Sequence, residues 1–208
     1  MNTESNTHAL LLKVGWLSIL LGIGMECLLL LASAGFHAFP AARAVIADFA
    51  QKIAWSYFVC VGLAFGAVSS KRSIPAMGFS GLVSAPGAFY LAKGLHKGLL
   101  EALSVSGPAA GIPGAFQLAS IKAAEYACLG MLVGWIGKQA WGNGKMHAIT
   151  GLALGLVFGG FIIYLTLQGA AKPPAPAVLV SKGINEVLFP VGCSLVLYAA
   201  GALARKRV

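Results

Sequence analysis

Residues 120–138 read Ser-Ile-Lys-Ala-Ala-Glu-Tyr-Ala-Cys-Leu-Gly-Met-Leu-Val-Gly-Trp-Ile-Gly-Lys. The run is apolar and of helix length, yet a base, Lys122, and an acid, Glu125, are set into its first half. Three residues apart, they share one helical face. Residues 181–198 repeat the arrangement: Ser181-Lys182-Gly183-Ile184-Asn185-Glu186 leads into Val-Leu-Phe-Pro-Val-Gly-Cys-Ser-Leu-Val-Leu-Tyr. Lys182 and Glu186 are four apart, again on one face. A third acid, Glu26, sits inside the first apolar run, in Gly22-Ile23-Gly24-Met25-Glu26-Cys27. Ionisable residues in such surroundings face a cavity or one another and mark functional sites by default.

Composition says what those surroundings are. Of 208 residues, 58% are hydrophobic and 10% charged, and the mean hydropathy is +0.83. A soluble domain carries about 25% charged residues, so these side chains cannot cover a water-facing surface. The chain reads as an all-α polytopic membrane protein forming a single domain over 1–208. The net charge of +9 does not point to nucleic acid, because the bases are scattered at helix ends, as membrane orientation requires. The four cysteines, Cys27, Cys60, Cys128 and Cys193, fall in apolar runs without CxxC spacing. They read as small buried side chains rather than disulfide or zinc ligands. The run from Val14 to Phe36 exceeds the roughly 7–15 residues of a signal h-region and contains Glu26, so it reads as a spanning helix.

Hydropathy predicts six transmembrane helices, over about 9–35, 50–70, 73–93, 114–138, 147–168 and 177–204, each near the roughly 20 residues that cross a hydrocarbon layer. Pro75 and Pro86 predict a kinked or broken third helix. Between the helices, 37–52 reads as an interfacial segment and 94–113 as an external amphipathic helix and turn. Six spans place both termini on one side. On that side the two connections and the C-terminal end hold Lys71, Arg72, Lys138, Lys145, Arg205, Lys206 and Arg207 with no acid. The opposite links hold Arg43, Lys52, Lys93, Lys97 and Lys172, diluted by Asp48 and Glu101. The bias predicts cytoplasmic termini in a cytoplasmic (inner) membrane. Gly62-Leu-Ala-Phe-Gly66 resembles Gly155-Leu-Val-Phe-Gly159, which suggests that halves 9–93 and 114–204 form an inverted repeat. Against it, Gly, Ala, Leu and Phe dominate any such chain.

At about 1.5 Å per residue, Glu125 and Glu186 lie roughly 15 Å from the start of their helices and Glu26 about as far from the end of its own. Three carboxylates at one depth predict a cation or proton site between helices one, four and six. Asn185 and Ser181 add oxygen groups beside Glu186, and Pro190 frees a backbone carbonyl one turn earlier. The plainer alternative is structural: Lys122 pairs with Glu125, Lys182 with Glu186, and the pairs only lock helices together. Gly130 and Gly134, and Gly151, Gly155 and Gly159, recur every four residues and read as close-packing stripes. Trp16, Trp55, Trp135 and Trp141 read as interfacial anchors.

Gly78-Phe79-Ser80-Gly81 has the GxSG form of rhomboid intramembrane proteases, and His147 opens a Gly-rich helix. The resemblance implies a Ser80–His147 dyad, but the helix order differs: two helices precede Ser80 and a charged one follows His147. In length and helix number the chain also resembles the substrate-binding subunits of energy-coupling vitamin transporters, and small trimeric cation channels built on inverted three-helix repeats. No phosphate loop, dinucleotide fingerprint or HExxH occurs, so no cofactor or metal is expected. The function expected is a non-enzymatic, cation- or proton-linked transporter or channel. The alternative is a non-transporting subunit of a larger membrane complex, and an intramembrane hydrolase ranks third. Expected partners are the lipid bilayer, an unidentified small solute or cation, and a second copy or another membrane subunit.

Overall fold

The computed structural model describes residues 3–69, 73–105, 114–170 and 172–205. Among these lie six helices: α1 Thr3–Gly35, α2 Ala42–Ser69, α3 Ser73–Ala102, α4 Ala115–Ile136, α5 Gly144–Gly169 and α6 Pro176–Arg205. All except α4 are long and apolar enough to cross a membrane. The chain is therefore a helical membrane protein. α4 has 22 residues, and its hydropathy is lowered by Lys122 and Glu125. Many large apolar side chains face outward, among them Leu20, Phe65, Phe79, Phe116 and Val157. In water such a surface would be costly; against lipid it is not.

Neighbouring helices run antiparallel, as their closest approaches show. Ser56 on α2 donates to the Ser18 carbonyl on α1 at 2.7 Å. The α2–α3 seam sets Gly62 against Ser84 and Gly66 against Ser80. On α3–α4, Gly81 meets Tyr126 and Gly130 meets Met77, while Gly134 faces Ile74. On α5–α6, Gly151 lies on Val191, Gly155 on Val187 and Gly159 on Glu186. α6 returns to α1, where Lys13 Nζ donates to the Leu203 carbonyl at 3.1 Å. The glycine stripes thus pack helices within one chain. A Cβ on Gly151 would stand 2.5 Å from Val191 Cα, so only glycine admits that backbone contact.

The seams define two ends of the bundle. The terminal end holds the start of α1, the end of α6, and the α2–α3 and α4–α5 connections. The far end holds the α1–α2, α3–α4 and α5–α6 connections. Both chain ends share a side, as six antiparallel helices require. The two halves are packed differently: α1 makes a long seam with α2, whereas α4 touches α5 more lightly.

Several expected boundaries move. α3 continues through Pro86 and on to Ala102, so 94–102 belongs to the third helix and not to a separate external one. Lys97 and Glu101 form its exposed i,i+4 pair at 3.7 Å, and their charge hid the continuation from hydropathy. The expected turn at 106–113 lies outside the described residues, as do Lys71, Arg72, Lys206 and Arg207. α2 begins at Ala42, so most of the supposed interfacial segment, Lys52 included, is helix. α1 and α3 end at residues in the left-handed region, His37 at φ 53° and Ser104 at φ 55°. There Ala38 N donates to the Ser33 carbonyl and Val105 N to the Leu100 carbonyl, the wrap that satisfies last-turn carbonyls. Asn143 caps α5 by accepting from Met146 N at 3.1 Å.

Candidate functional site: a lysine shared by two glutamates

Lys122 stands about two turns into α4, within the far half of the bundle. Its Nζ lies 2.6 Å from Glu125 Oε2 on its own helix and 2.5 Å from Glu186 Oε2 on α6. The bond to Glu125 is an aligned hydrogen bond; the approach to Glu186 is a close ion pair without that alignment. The three side chains are 8%, 0% and 10% exposed. Glu125 Oε1 and the neighbouring Asn185 Oδ1 are buried with no hydrogen-bond partner, and Glu186 Oε2 has the Lys122 ion pair but no aligned hydrogen bond. One cation therefore serves two carboxylates on two helices, and acceptor capacity is left over. Pro190 lacks the N–H that would otherwise bond the Glu186 carbonyl, so a backbone acceptor is freed at this level too.

The expected Lys182–Glu186 pair is not formed. Lys182 Nζ instead donates to Thr166 Oγ1 on α5 at 2.7 Å. Four-residue spacing permits an intrahelical pair, but Lys122 approaches Glu186 from across the bundle and takes that place.

A cavity of about 130 Å³ opens against this cluster. Lys122, Asn185 and Glu186 line it together with Gln51, Lys52 and Trp55 of α2, Phe89 and Ala92 of α3, and Phe189 of α6. Glu125 lies behind Lys122 and does not line it. Glu26 is 4% exposed but faces a different recess, of about 390 Å³, with Ser33, Asp48, Lys52 and Ser181. The expectation that Glu26, Glu125 and Glu186 line one cavity is thus corrected. α1 contributes Glu26 and α6 contributes Ser181 to the neighbouring recess, and Lys52 borders both spaces. At the far rim His96 Nε2 lies 3.0 Å from Asp48 Oδ1, tying α3 to α2.

Trp55 is also reassigned. It is an interior residue, its ring edge-on to Tyr126 at 5.6 Å, whereas Trp16, Trp135 and Trp141 do face outward. Lys52, Gln51, Phe89 and Phe189 escaped the sequence reading. Lys52 and Trp55, three apart in an apolar run, carried the same face signal as Lys122 and Glu125.

A third recess, of about 220 Å³, opens at the terminal end between Ala67, Met77, Val133, Lys138, His147 and Tyr198. Between it and the first cavity the helices close. Val59, Cys60 and Leu63 on α2, Tyr126 and Leu129 on α4, and Cys193 on α6 are all 0% exposed. Cys60 Sγ and Cys193 Sγ lie 3.2 Å apart there.

The serine and histidine of the rhomboid-like motif are not brought together. Ser80 packs on Gly66. His147 is paired with Ser194, whose Oγ donates to the His147 carbonyl at 2.8 Å and lies 3.3 Å from its Nδ1. Among the described residues no group of three His, Cys, Asp or Glu side chains is placed to hold a metal ion. No protein-family model, curated protein or solved structure matches this chain.

Proposed function

We propose that this chain is a small membrane carrier, with all six helices crossing the bilayer and both termini cytoplasmic, that couples movement of a solute to a proton or cation at Glu186 and Glu125. The observation that carries this is the sharing of Lys122 between carboxylates of α4 and α6 at the wall of a cavity. A buried ion pair stabilises only when both partners stay satisfied. If Glu186 takes a proton, or a cation reaches it, Lys122 is left to Glu125 alone and the clasp between α4 and α6 loosens. The same atoms thus sense the ion and control the helix contact. The closed waist, with a recess on either side, supports alternating access by a carrier over a continuous channel.

The test is initial uptake against pH in vesicles containing the purified chain, with a panel of solutes. Glu186→Gln keeps the side chain's shape and hydrogen bonding, so the fold should persist while pH-dependent uptake is lost. If Glu186→Gln and Glu125→Gln both transport like the unaltered protein, the carboxylates are structural. The chain is then better described as a non-transporting subunit of a membrane complex.

A further inference from the structure

We infer that the cavity between α2, α3, α4 and α6 takes a small zwitterion, an ammonium and a carboxylate on a compact apolar body, of the class of the α-amino acids with an apolar side chain. This rests on the carrier proposal and names its solute.

Size comes first. The space is about 130 Å³. Apolar cavities of about 150 Å³ hold one benzene ring, so the occupant has about six to nine heavy atoms. A nucleotide or a sugar chain does not fit, and a bare ion leaves most of the space empty.

The walls decide the body. Trp55, Phe89 and Phe189, from three helices, supply flat apolar surface, and Ala92 adds a small face. Such walls reward an apolar group and offer nothing to a polyol.

The polar groups decide the ends. Asn185 Oδ1 is a buried acceptor without a hydrogen bond, an unmade bond that costs free energy until a donor arrives, and the Glu186 carboxylate beside it, held by Lys122 through Oε2, adds negative charge to the same wall. An ammonium supplies three N–H donors. On α2, Lys52 and the Gln51 amide offer donors to the same space. Lys122 is already engaged by two carboxylates, whereas among the described residues no carboxylate oxygen lies within 4.0 Å of Lys52 Nζ. Lys52 is therefore the cation left for a carboxylate.

Charge decides against a simple amine or acid. Lys52 and Lys122 balance Glu125 and Glu186 around the cavity. Further out, Lys182, bonded to Thr166, and Glu26, in the neighbouring recess with Lys52, add one base and one acid, and Asp48 lies against His96. A monocation or monoanion would bring one uncompensated charge up against these buried groups, which is unfavourable. A zwitterion leaves the balance unchanged while each end meets its complement.

The experiment is binding of a matched series to the full chain in lipid nanodiscs by calorimetry. The series is leucine, 3-methylbutylamine and 4-methylpentanoate, which share a body and differ only in their charged ends. Glycine, valine and phenylalanine are run beside them to bracket size. At least one amino acid should bind ten-fold or more tightly than its matching amine and acid. Lys52→Met should bring the preference for the zwitterion over the amine to about one, and Asn185→Leu its preference over the acid. Melting curves report whether each variant is folded, and Lys52→Arg should retain binding if the charge is what matters. An amine or acid that binds as tightly as the zwitterion overturns the inference, as does the absence of binding by every amino acid. If pH-dependent, Glu186-requiring uptake of another solute class persists in that case, the carrier proposal stands and only the solute is wrong.

Discussion

Lys122 of α4 and Glu186 of α6 meet at 2.5 Å across the interior of the bundle, while Lys122 also holds Glu125 at 2.6 Å. One ammonium thus fixes two helices and compensates two acids. Removing it should be far worse than removing the whole cluster. Lys122→Met leaves two buried carboxylates without a cation and should cost about 3–5 kcal/mol. Adding Glu125→Gln and Glu186→Gln to Lys122→Met should recover much of that loss, because no buried charge is then left alone. Thermal unfolding in detergent, followed by retention on size-exclusion chromatography, measures the order. A triple variant less stable than Lys122→Met would show that the carboxylates are not dependent on Lys122.

Lys182 provides the contrast. It is bonded to the hydroxyl of Thr166 at 2.7 Å and not to Glu186. Lys182→Met should therefore cost about the value of one charged hydrogen bond, roughly 1.5–3 kcal/mol at most, and less than Lys122→Met. Equal losses for the two variants would mean that both lysines neutralise Glu186.

The difference between those two lysines marks the limit of what the sequence discloses. Apolar runs with a few charges are legible as spanning helices because lipid forces every backbone group into internal bonds. The intrahelical pair Lys122–Glu125 is legible for a similar reason, since its three-residue spacing is a property of one helix. Whether Lys182 or Lys122 takes Glu186 depends on which helix faces α6, and no local spacing carries that. The same holds for Glu26: its depth was readable, but its direction away from Glu186 follows from how α1 rotates against α2. The extension of α3 to Ala102 was missed for the opposite reason. Hydropathy falls where charged residues begin, whereas the helix itself continues past Lys93 to Ala102.

The α5–α6 seam gives a packing prediction with its own control. A Cβ on Gly155 would collide with the Val187 carbonyl and stand 2.9 Å from Val187 Cα, both backbone atoms. Gly160, on the same helix, has nothing within 4 Å of the equivalent position. Gly155→Ala should therefore force α5 from α6 and cost about 1–3 kcal/mol. Gly160→Ala should be neutral, or stabilising by up to about 1 kcal/mol through helix propensity. Melting of the two variants side by side decides this; a harmless Gly155→Ala would mean that the helices are further apart than described.

At the closed waist, Cys60 of α2 and Cys193 of α6 have their Sγ atoms 3.2 Å apart, and both are free thiols and fully buried. A two-electron oxidant able to enter the bilayer, such as molecular iodine, should join them: the two thiols lose two protons, the oxidant takes two electrons, and one S–S bond forms. Cys27 and Cys128, which lack such a partner among the described residues, should remain as thiols. Of the four cysteines in the chain, two should then still react with maleimide after unfolding, and peptide mapping should find residue 60 joined to residue 193. Four reactive thiols after oxidation would place α2 and α6 too far apart at this level for the short reach of a disulfide. The cross-link also tests the carrier proposal. It ties α2 to α6 between the two recesses, where alternating access needs the helices to part. Uptake should fall on oxidation, return on reduction, and be indifferent to oxidant in Cys60→Ala. Undiminished uptake by the fully cross-linked protein would mean that the solute does not pass between these two helices.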